Sequence, residues 1–211
     1  MSDVQSHYDE LSSSYDEKVN LYCQRRFIEL IRKHTGRNDM ILEVGCATGY
    51  IQDALGRNVV GVDVTESLLE KNRNKVIRAD ALSLPFKDGS FDSVYSVNVL
   101  EHVSDAGRMI NECRRVVRSG GRLIIITPNG DMELFLDIAE KLRMKLPEGP
   151  HKFLGYDELK DMVAKNGLHM LSAGRLVLVP FSIPLVTALS RRIEKHAQRL
   201  CLFLAIVCRK P

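Results

Sequence analysis

The residues best suited to chemistry cluster after the first apolar run, in Ile41-Leu42-Glu43-Val44-Gly45-Cys46-Ala47-Thr48-Gly49-Tyr50. Small residues there permit a tight turn and let a ligand approach the backbone. A phosphate loop would need a lysine and a hydroxyl residue after its last glycine, and neither follows Gly49. A dinucleotide fingerprint would need glycine at 45, 47 and 50, where the chain has Gly45, Ala47 and Tyr50. Asp63 lies eighteen positions beyond Gly45 and ends a second apolar run. A carboxylate there can accept hydrogen bonds from two sugar hydroxyls, or simply cap the next helix. Asp80, after a third run, reads either as a ligand acceptor or as a solvated loop acid. Two histidines are placed for proton transfer: His102 after a fourth run, and His151 in Gly149-Pro150-His151-Lys152-Phe153. Each also reads as a structural or exposed histidine.

These residues need a scaffold, and the apolar pattern supplies one. Short runs at Met40–Val44, Asn58–Val62, Lys75–Ala79, Ser93–Val97 and Arg122–Thr127 predict buried parallel strands. Between them, Tyr22–His34, Thr65–Asn74 and Asp105–Arg118 read as helices. Thr65 or Ser67 can cap the second, and Gly120–Gly121 reads as the stop of the third. Met109, Ile110, Cys113, Val116 and Val117 form that helix's apolar stripe. Further on, Tyr156–Asn166 reads as a helix closed by Gly167. The runs Arg175–Val179 and Leu200–Val207 predict two final strands paired as a long hairpin. Between them, Pro180–Arg199 carries Leu185, Leu189, Ile193 and Ala197 at helical spacing. The expected fold is α/β: a Rossmann-like, doubly wound sheet of seven strands, mostly parallel, with a C-terminal antiparallel hairpin.

Composition narrows the setting. Hydrophobic residues make up 45% of 211, enough for a core. A net charge of +3 with interspersed signs gives no reason to expect a nucleic-acid partner. Five cysteines without a CxxC pair suggest neither a disulfide framework nor a metal site. The start is polar and acidic, unlike a signal peptide, and the longest apolar run, Cys201–Cys208, is too short to span a bilayer. A cytoplasmic location is expected. The basic stretch with Arg191, Arg192, Lys195, His196 and Arg199 reads as the solvated face of a connecting helix; peripheral contact with an anionic lipid surface or a second subunit is the alternative. Oligomeric state is not legible.

With these residues in view, ILEVGCATGY resembles the first motif of class I S-adenosylmethionine-dependent methyltransferases, in the small-substrate, type 11-like branch. That motif usually reads [DE]xGxGxG, and Ala47 replaces its middle glycine. Leu84-Pro85-Phe86-Lys87-Asp88-Gly89-Ser90-Phe91-Asp92, Ser96-Val97-Asn98-Val99-Leu100-Glu101-His102-Val103 and Gly120–Asn129 resemble later family segments in the right order. The resemblance runs from about Tyr8 to the C-terminus and is specific from Ile41 to Asn129. It implies S-adenosyl-L-methionine as cofactor. It places Tyr15, Glu43, Gly45, Cys46, Ala47, Gly49, Tyr50, Asp63, Val64, Asp80, Ala81 and Asn98 at that cofactor. Glu43 would order the loop or reach the ligand's amine, Asp63 would hold the ribose, and Asp80 with the Ala81 amide would meet the adenine. His7–Asp16 resembles a pre-sheet lid, with Tyr15 and Tyr8 closing over the cofactor or lying exposed on a mobile end. The chain then divides into lid helices (1–36), a cofactor-binding core (37–130) and substrate-side helices with the terminal hairpin (131–211), all in one methyltransferase domain.

The implied reaction is methyl transfer to a small or medium-sized acceptor, by O- or C-methylation. A sulfonium methyl is already electrophilic, so positioning dominates and can supply roughly 7–11 kcal/mol. A neutral hydroxyl acceptor also needs a base, worth about 10²–10⁴-fold, and His102 and His151 are the candidates. No metal is expected. The Asn-Pro-Pro-aromatic signature of many enzymes that methylate base nitrogens is absent after the fourth strand, which reads SVNV. The rival readings are an NAD(P)-dependent oxidoreductase and a non-catalytic S-adenosylmethionine-binding module. The failed glycine positions and Asp80 weigh against the first, and turnover would exclude the second.

Overall fold

The computed structural model describes residues 3–56, 58–133, 151–177, 193–194 and 196–211. Its centre is one seven-stranded sheet: β1 (Ile41–Val44), β2 (Val59–Asp63), β3 (Lys75–Arg78), β4 (Phe91–Val97), β5 (Val117–Pro128), β6 (His169–Leu176) and β7 (Phe203–Arg209). The order is β3-β2-β1-β4-β5-β7-β6. The first five strands pair in parallel, and β7 runs antiparallel to both β5 and β6.

The strand sequences explain both cores. All four residues of β1 are buried, because a parallel central strand is covered on both faces. Alternation sends Leu42, Val44, Leu123 and Ile125 to one face, and Ile41, Ile124 and Ile126 to the other. On the second face lies α3 (Leu21–His34), following α1 (Asp3–Leu11) and α2 (Tyr15–Lys18). Tyr22, Cys23, Phe27, Ile28 and Ile31 form its buried stripe, and the Asn20 side chain accepts from the Cys23 amide at its start. On the first face lie α6 (Ala106–Val116), through Met109, Ile110, Cys113 and Val116, and α7 (Tyr156–Lys165), through Leu159 and Val163. Short helices α4 (Tyr50–Leu55) and α5 (Glu66–Leu69) follow β1 and β2.

Several boundaries differ from the sequence reading. α5 ends at Leu69 rather than Asn74, because Asn72 turns inward to the buried amide of Gln52. Thr65 sits at its N-cap without a side-chain cap bond, and the Ser67 hydroxyl donates to Asp9 instead. Gly120 and Gly121 do not stop a helix. α6 passes directly into β5 at Val117, and the glycine pair lies inside that strand where the β4 register shifts. β6 starts at His169 rather than Arg175, and β7 at Phe203 rather than Leu200. Most of the helix expected over 180–199 lies outside the described residues, as do residues 134–150 of the expected substrate side. Among the described residues, no helix is long and apolar enough to cross a membrane. All five cysteines are buried and free.

One buried ion pair ties α3 to the segment before β7. Arg26 Nη1 and Nη2 donate to Glu194 Oε1 and Oε2 at 2.8 Å each, with side chains only 11% and 8% exposed. Removing one partner strands the other charge. Glu194→Ala is expected to cost about 3 kcal/mol in denaturant unfolding. The Arg26→Met/Glu194→Leu double variant should recover much of that loss. An unchanged midpoint for Glu194→Ala would show that the pair carries no stability.

Candidate active site

β1 is the switch strand: the chain winds outward from β1 through β2 to β3, then returns to β4 on the other side. Loops leaving the carboxyl ends of β1 and β4 therefore diverge and open a crevice, where ligands of such sheets lie. A cavity of about 670 Å³ occupies this position.

The glycine loop forms its floor. Gly45 (φ +81°) and Gly49 (φ +90°) adopt the left-handed region, and Ala47 joins them at φ +43°. A Cβ on Gly45 would stand 2.0 Å from Val99 Cγ2, and one on Gly49 2.5 Å from Asn72 Oδ1. The Gly45 and Cys46 amides donate to the Val62 carbonyl at 2.8 and 3.0 Å, and Gly49 N donates to Cys46 O at 2.9 Å. Below the loop, Asn72 Nδ2 donates to Gln52 Oε1 (2.8 Å) and to the Ala47 carbonyl (3.1 Å). The Cys46 thiol faces this amide pair and Gly61. Cys46 thus offers a ligand its backbone rather than its sulfur, and burial raises the thiol pKa.

Asp63 joins the loop to β2. Its Oδ2 accepts from Ala47 N and its Oδ1 from Thr65 N, both at 2.9 Å. The Thr65 hydroxyl and the Val64 amide also donate to this carboxylate. Burial raises its pKa against the pull of these amides. Glu43, 2% exposed on β1, is held well above the usual carboxylate range by burial and by the neighbouring Asp63 charge, although the Tyr95 hydroxyl works in the other direction. Burial, Asp63, Glu43 and Asp16 together push the Tyr15 hydroxyl pKa far up, so it stays a neutral donor.

Of the residues singled out in the sequence, Tyr15, Glu43, Gly45, Cys46, Ala47, Tyr50, Asp63, Val64, Asp80, Ala81, Asn98, His102 and His151 all line this one cavity. Gly49 does not; it sets the loop's exit into α4. Asp80 is exposed at the rim and already caps a turn, its Oδ1 accepting from Leu82 N at 2.8 Å. Asn98 takes φ +53° and buries an Oδ1 that has no hydrogen-bond partner among the described residues. His151 stacks on Phe153 with centroids 4.2 Å apart.

Several contacts went unnoticed in the sequence. The N-terminal segment is pinned to the crevice by Thr48 Oγ1 donating to Asp16 Oδ1 (2.6 Å), by Ser67 Oγ donating to Asp9 Oδ1 (2.6 Å), and by Lys71 donating to the Ser12 carbonyl. The Tyr8 hydroxyl lies 3.1 Å from His102 Nε2. Buried Glu101 lines the cavity beside them, its Oε2 accepting from Thr127 Oγ1 at 2.9 Å. No spacing rule marks such pairs, because partners separated by tens of residues meet only through the sheet.

A buried acid, Glu43, and a half-buried one, Asp63, beside glycine-loop amides suit a ligand that brings hydroxyl donors and a cationic group. The residues present therefore fit S-adenosylmethionine, whose ribose, ammonium and sulfonium supply them. Two measurements check the geometry. Gly49→Ala should lose about 1–2 kcal/mol from backbone strain alone, since an L side chain resists this φ, read by denaturant unfolding. Full stability would mean that the loop rearranges freely. For Glu43, the native state keeps a proton that the unfolded chain releases near pH 4.3, so stability falls as pH rises from there through the raised native value. Thermal midpoints of ligand-free wild type should drop relative to Glu43→Gln across that range. Parallel curves would contradict the burial of this acid.

Comparison with known proteins agrees with this geometry. A family model described as a methyltransferase domain matches residues 42–125. A ubiquinone biosynthesis O-methyltransferase of Coxiella burnetii is 31% identical over 149 residues, which are 62% of this chain and 64% of that one. The chain thus spans a little under two thirds of that curated relative's length. Among solved structures, a Thermotoga maritima S-adenosylmethionine-dependent methyltransferase, described as a possible histamine N-methyltransferase, superposes with a TM-score of 0.77. It has 20% identity and covers 97% of this chain and 98% of its own. The geranyl diphosphate C-methyltransferase of Streptomyces coelicolor, solved with S-adenosyl-L-homocysteine, gives 0.67 at 16% identity, covering 89% and 77%. Residues 42–125 thus match a methyltransferase-domain model, and the fold is the one seen in these solved methyltransferases.

Proposed function

We propose that this chain transfers a methyl group from S-adenosyl-L-methionine to a hydroxyl of a small molecule. One observation carries the reading: a single cavity joins the acid-lined glycine loop at one end to His102 and His151 at the other. The donor, when bound, supplies an electrophilic methyl carbon on a sulfonium. The chain's part is to hold it and to exclude water. Asp63 takes the ribose hydroxyls. Glu43, on the floor, offsets the ammonium. Asp80 and the Ala81 amide, with Val64 and Tyr50 at the rim, frame the adenine. Asn98 Oδ1 offers an acceptor near the amino-acid end.

Positioning of this kind can lower a barrier by roughly 7–11 kcal/mol. His102 takes the acceptor's proton, a step worth about 10²–10⁴-fold for a neutral hydroxyl. His151 serves as a second polar wall of the acceptor end. The Coxiella burnetii relative's O-methylation supports oxygen as the target. The chain works as one domain, with residues 1–36 as a lid, 37–130 as the cofactor core and 131–211 as the substrate side. Tyr15 and Tyr8 contribute to the closed lid, which the Asp16–Thr48 and Asp9–Ser67 bonds support. Free, buried cysteines suit a reducing compartment such as the cytoplasm.

Calorimetry with S-adenosylhomocysteine tests the assignment. Wild type should bind, and Asp63→Ala should bind at least about tenfold more weakly, since a lost charge-assisted hydrogen bond costs about 1.5–3 kcal/mol. No heat with this nucleoside, together with binding of a nicotinamide dinucleotide, would replace methyl transfer by hydride transfer.

A further inference from the structure

His102 does not stand alone at the acceptor end. Its side chain is 7% exposed, and two polar groups from different elements converge on the same ring nitrogen. The Tyr8 hydroxyl, from α1, lies 3.1 Å from Nε2, with the two rings edge to face at 5.6 Å. Glu101 Oε1, from the loop after β4, lies 3.9 Å from that nitrogen, on a side chain that is 1% exposed. Glu101 is fixed independently. Its other oxygen accepts from Thr127 Oγ1 at the end of β5, and its carbonyl accepts from Lys152 N at 2.8 Å. Among the described residues, the other titratable groups around this end include His7 and Tyr15, both edge-on to Tyr8, and His151 and Lys152 on the cavity wall.

Such an array answers a specific need. A buried imidazole that accepts a proton becomes a cation with little water to solvate it, and a fixed carboxylate about 4 Å away favours that charged form. The Tyr8 phenol, 3.1 Å from Nε2, shows that a hydroxyl fits within hydrogen-bond reach of this nitrogen. Resting on the methyl-transfer reading, we propose that Tyr8, His102 and Glu101 form one proton-handling array, in which the Tyr8 phenol holds the seat of the acceptor's hydroxyl and Glu101 is a positioning residue that holds the imidazolium. The substrate class is accordingly a phenol or comparable aromatic hydroxyl. In the transfer, the acceptor oxygen bonds to the methyl carbon, the carbon–sulfur electron pair returns to sulfur, and the oxygen's proton passes to His102 Nε2. Glu101 balances that charge until the proton leaves to solvent.

The array predicts opposite electrostatic effects from its two partners, measurable without any acceptor. The imidazole of His102 is titrated by nitrogen-15 NMR in the ligand-free full chain, with His102→Gln identifying its signals. Glu101→Gln, which keeps an acceptor for Thr127, should lower the His102 midpoint by about one unit or more, as expected when an opposite charge within 4–6 Å is lost. Tyr8→Phe should raise it, because the tyrosine hydroxyl donates to the neutral ring and stabilises that form. A His102 midpoint indifferent to Glu101→Gln, or one that falls in Tyr8→Phe, would overturn the array. S-adenosylhomocysteine calorimetry on the unaltered chain separates this outcome from failure of the methyl-transfer reading, since it tests the cofactor site with the array intact.

Discussion

The Asp63 carboxylate is the joint on which the crevice depends. It ends β2 and receives one amide from the glycine loop and one from the start of α5. Two strand exits that would otherwise splay apart are thereby held at a fixed separation. The acid lies half-buried, and its pKa is raised by that burial. A carboxylate kept in such a place at some cost is characteristic of a site that awaits polar ligand groups. The glycines at 45 and 49 let the backbone turn tightly enough for the joint to close, and the Asn72–Gln52 amide pair supports the loop from beneath.

Much of this was legible in the sequence, for a physical reason. Strands buried on both faces write continuous apolar runs, so the five parallel strands and their order of chemistry stood out. The glycine loop, Asp63 and Asp80 follow at strand ends, where the fold puts ligands. What escaped depends on long-range closure. The α5 helix appeared longer because nothing local says that Asn72 prefers a buried amide partner to another helical turn. Gly120 and Gly121 imitate a helix stop, yet the edge-to-centre pairing of β5 absorbs them as an irregularity within a strand. β6 lies at the sheet edge with a mostly exposed face, so its first residues carry little apolar signal.

The His102 end of the cavity shows the same division. His102 was visible as a histidine after a central strand. Its contacts were not: Tyr8, read as a lid residue, is 94 positions away, and the Glu101–Thr127 bond spans 26. Ala47 is a further case. Its φ of +43° explains why the family motif carries glycine there, while the short methyl side chain leaves the loop path intact. The N-terminal helices contact the segments that follow β1, β2 and β4, so three parts of the crevice wall are tied together from one side.

Hydrogen–deuterium exchange with and without S-adenosylhomocysteine tests the central claim most directly. If that nucleoside sits in the crevice joined by Asp63, protection should rise at the amides of Gly45–Gly49 and Asp63–Thr65 and leave the far edge strand β6 unchanged. Exchange in both loops that stays the same with saturating nucleoside, or protection that appears only with a nicotinamide dinucleotide, would contradict the account.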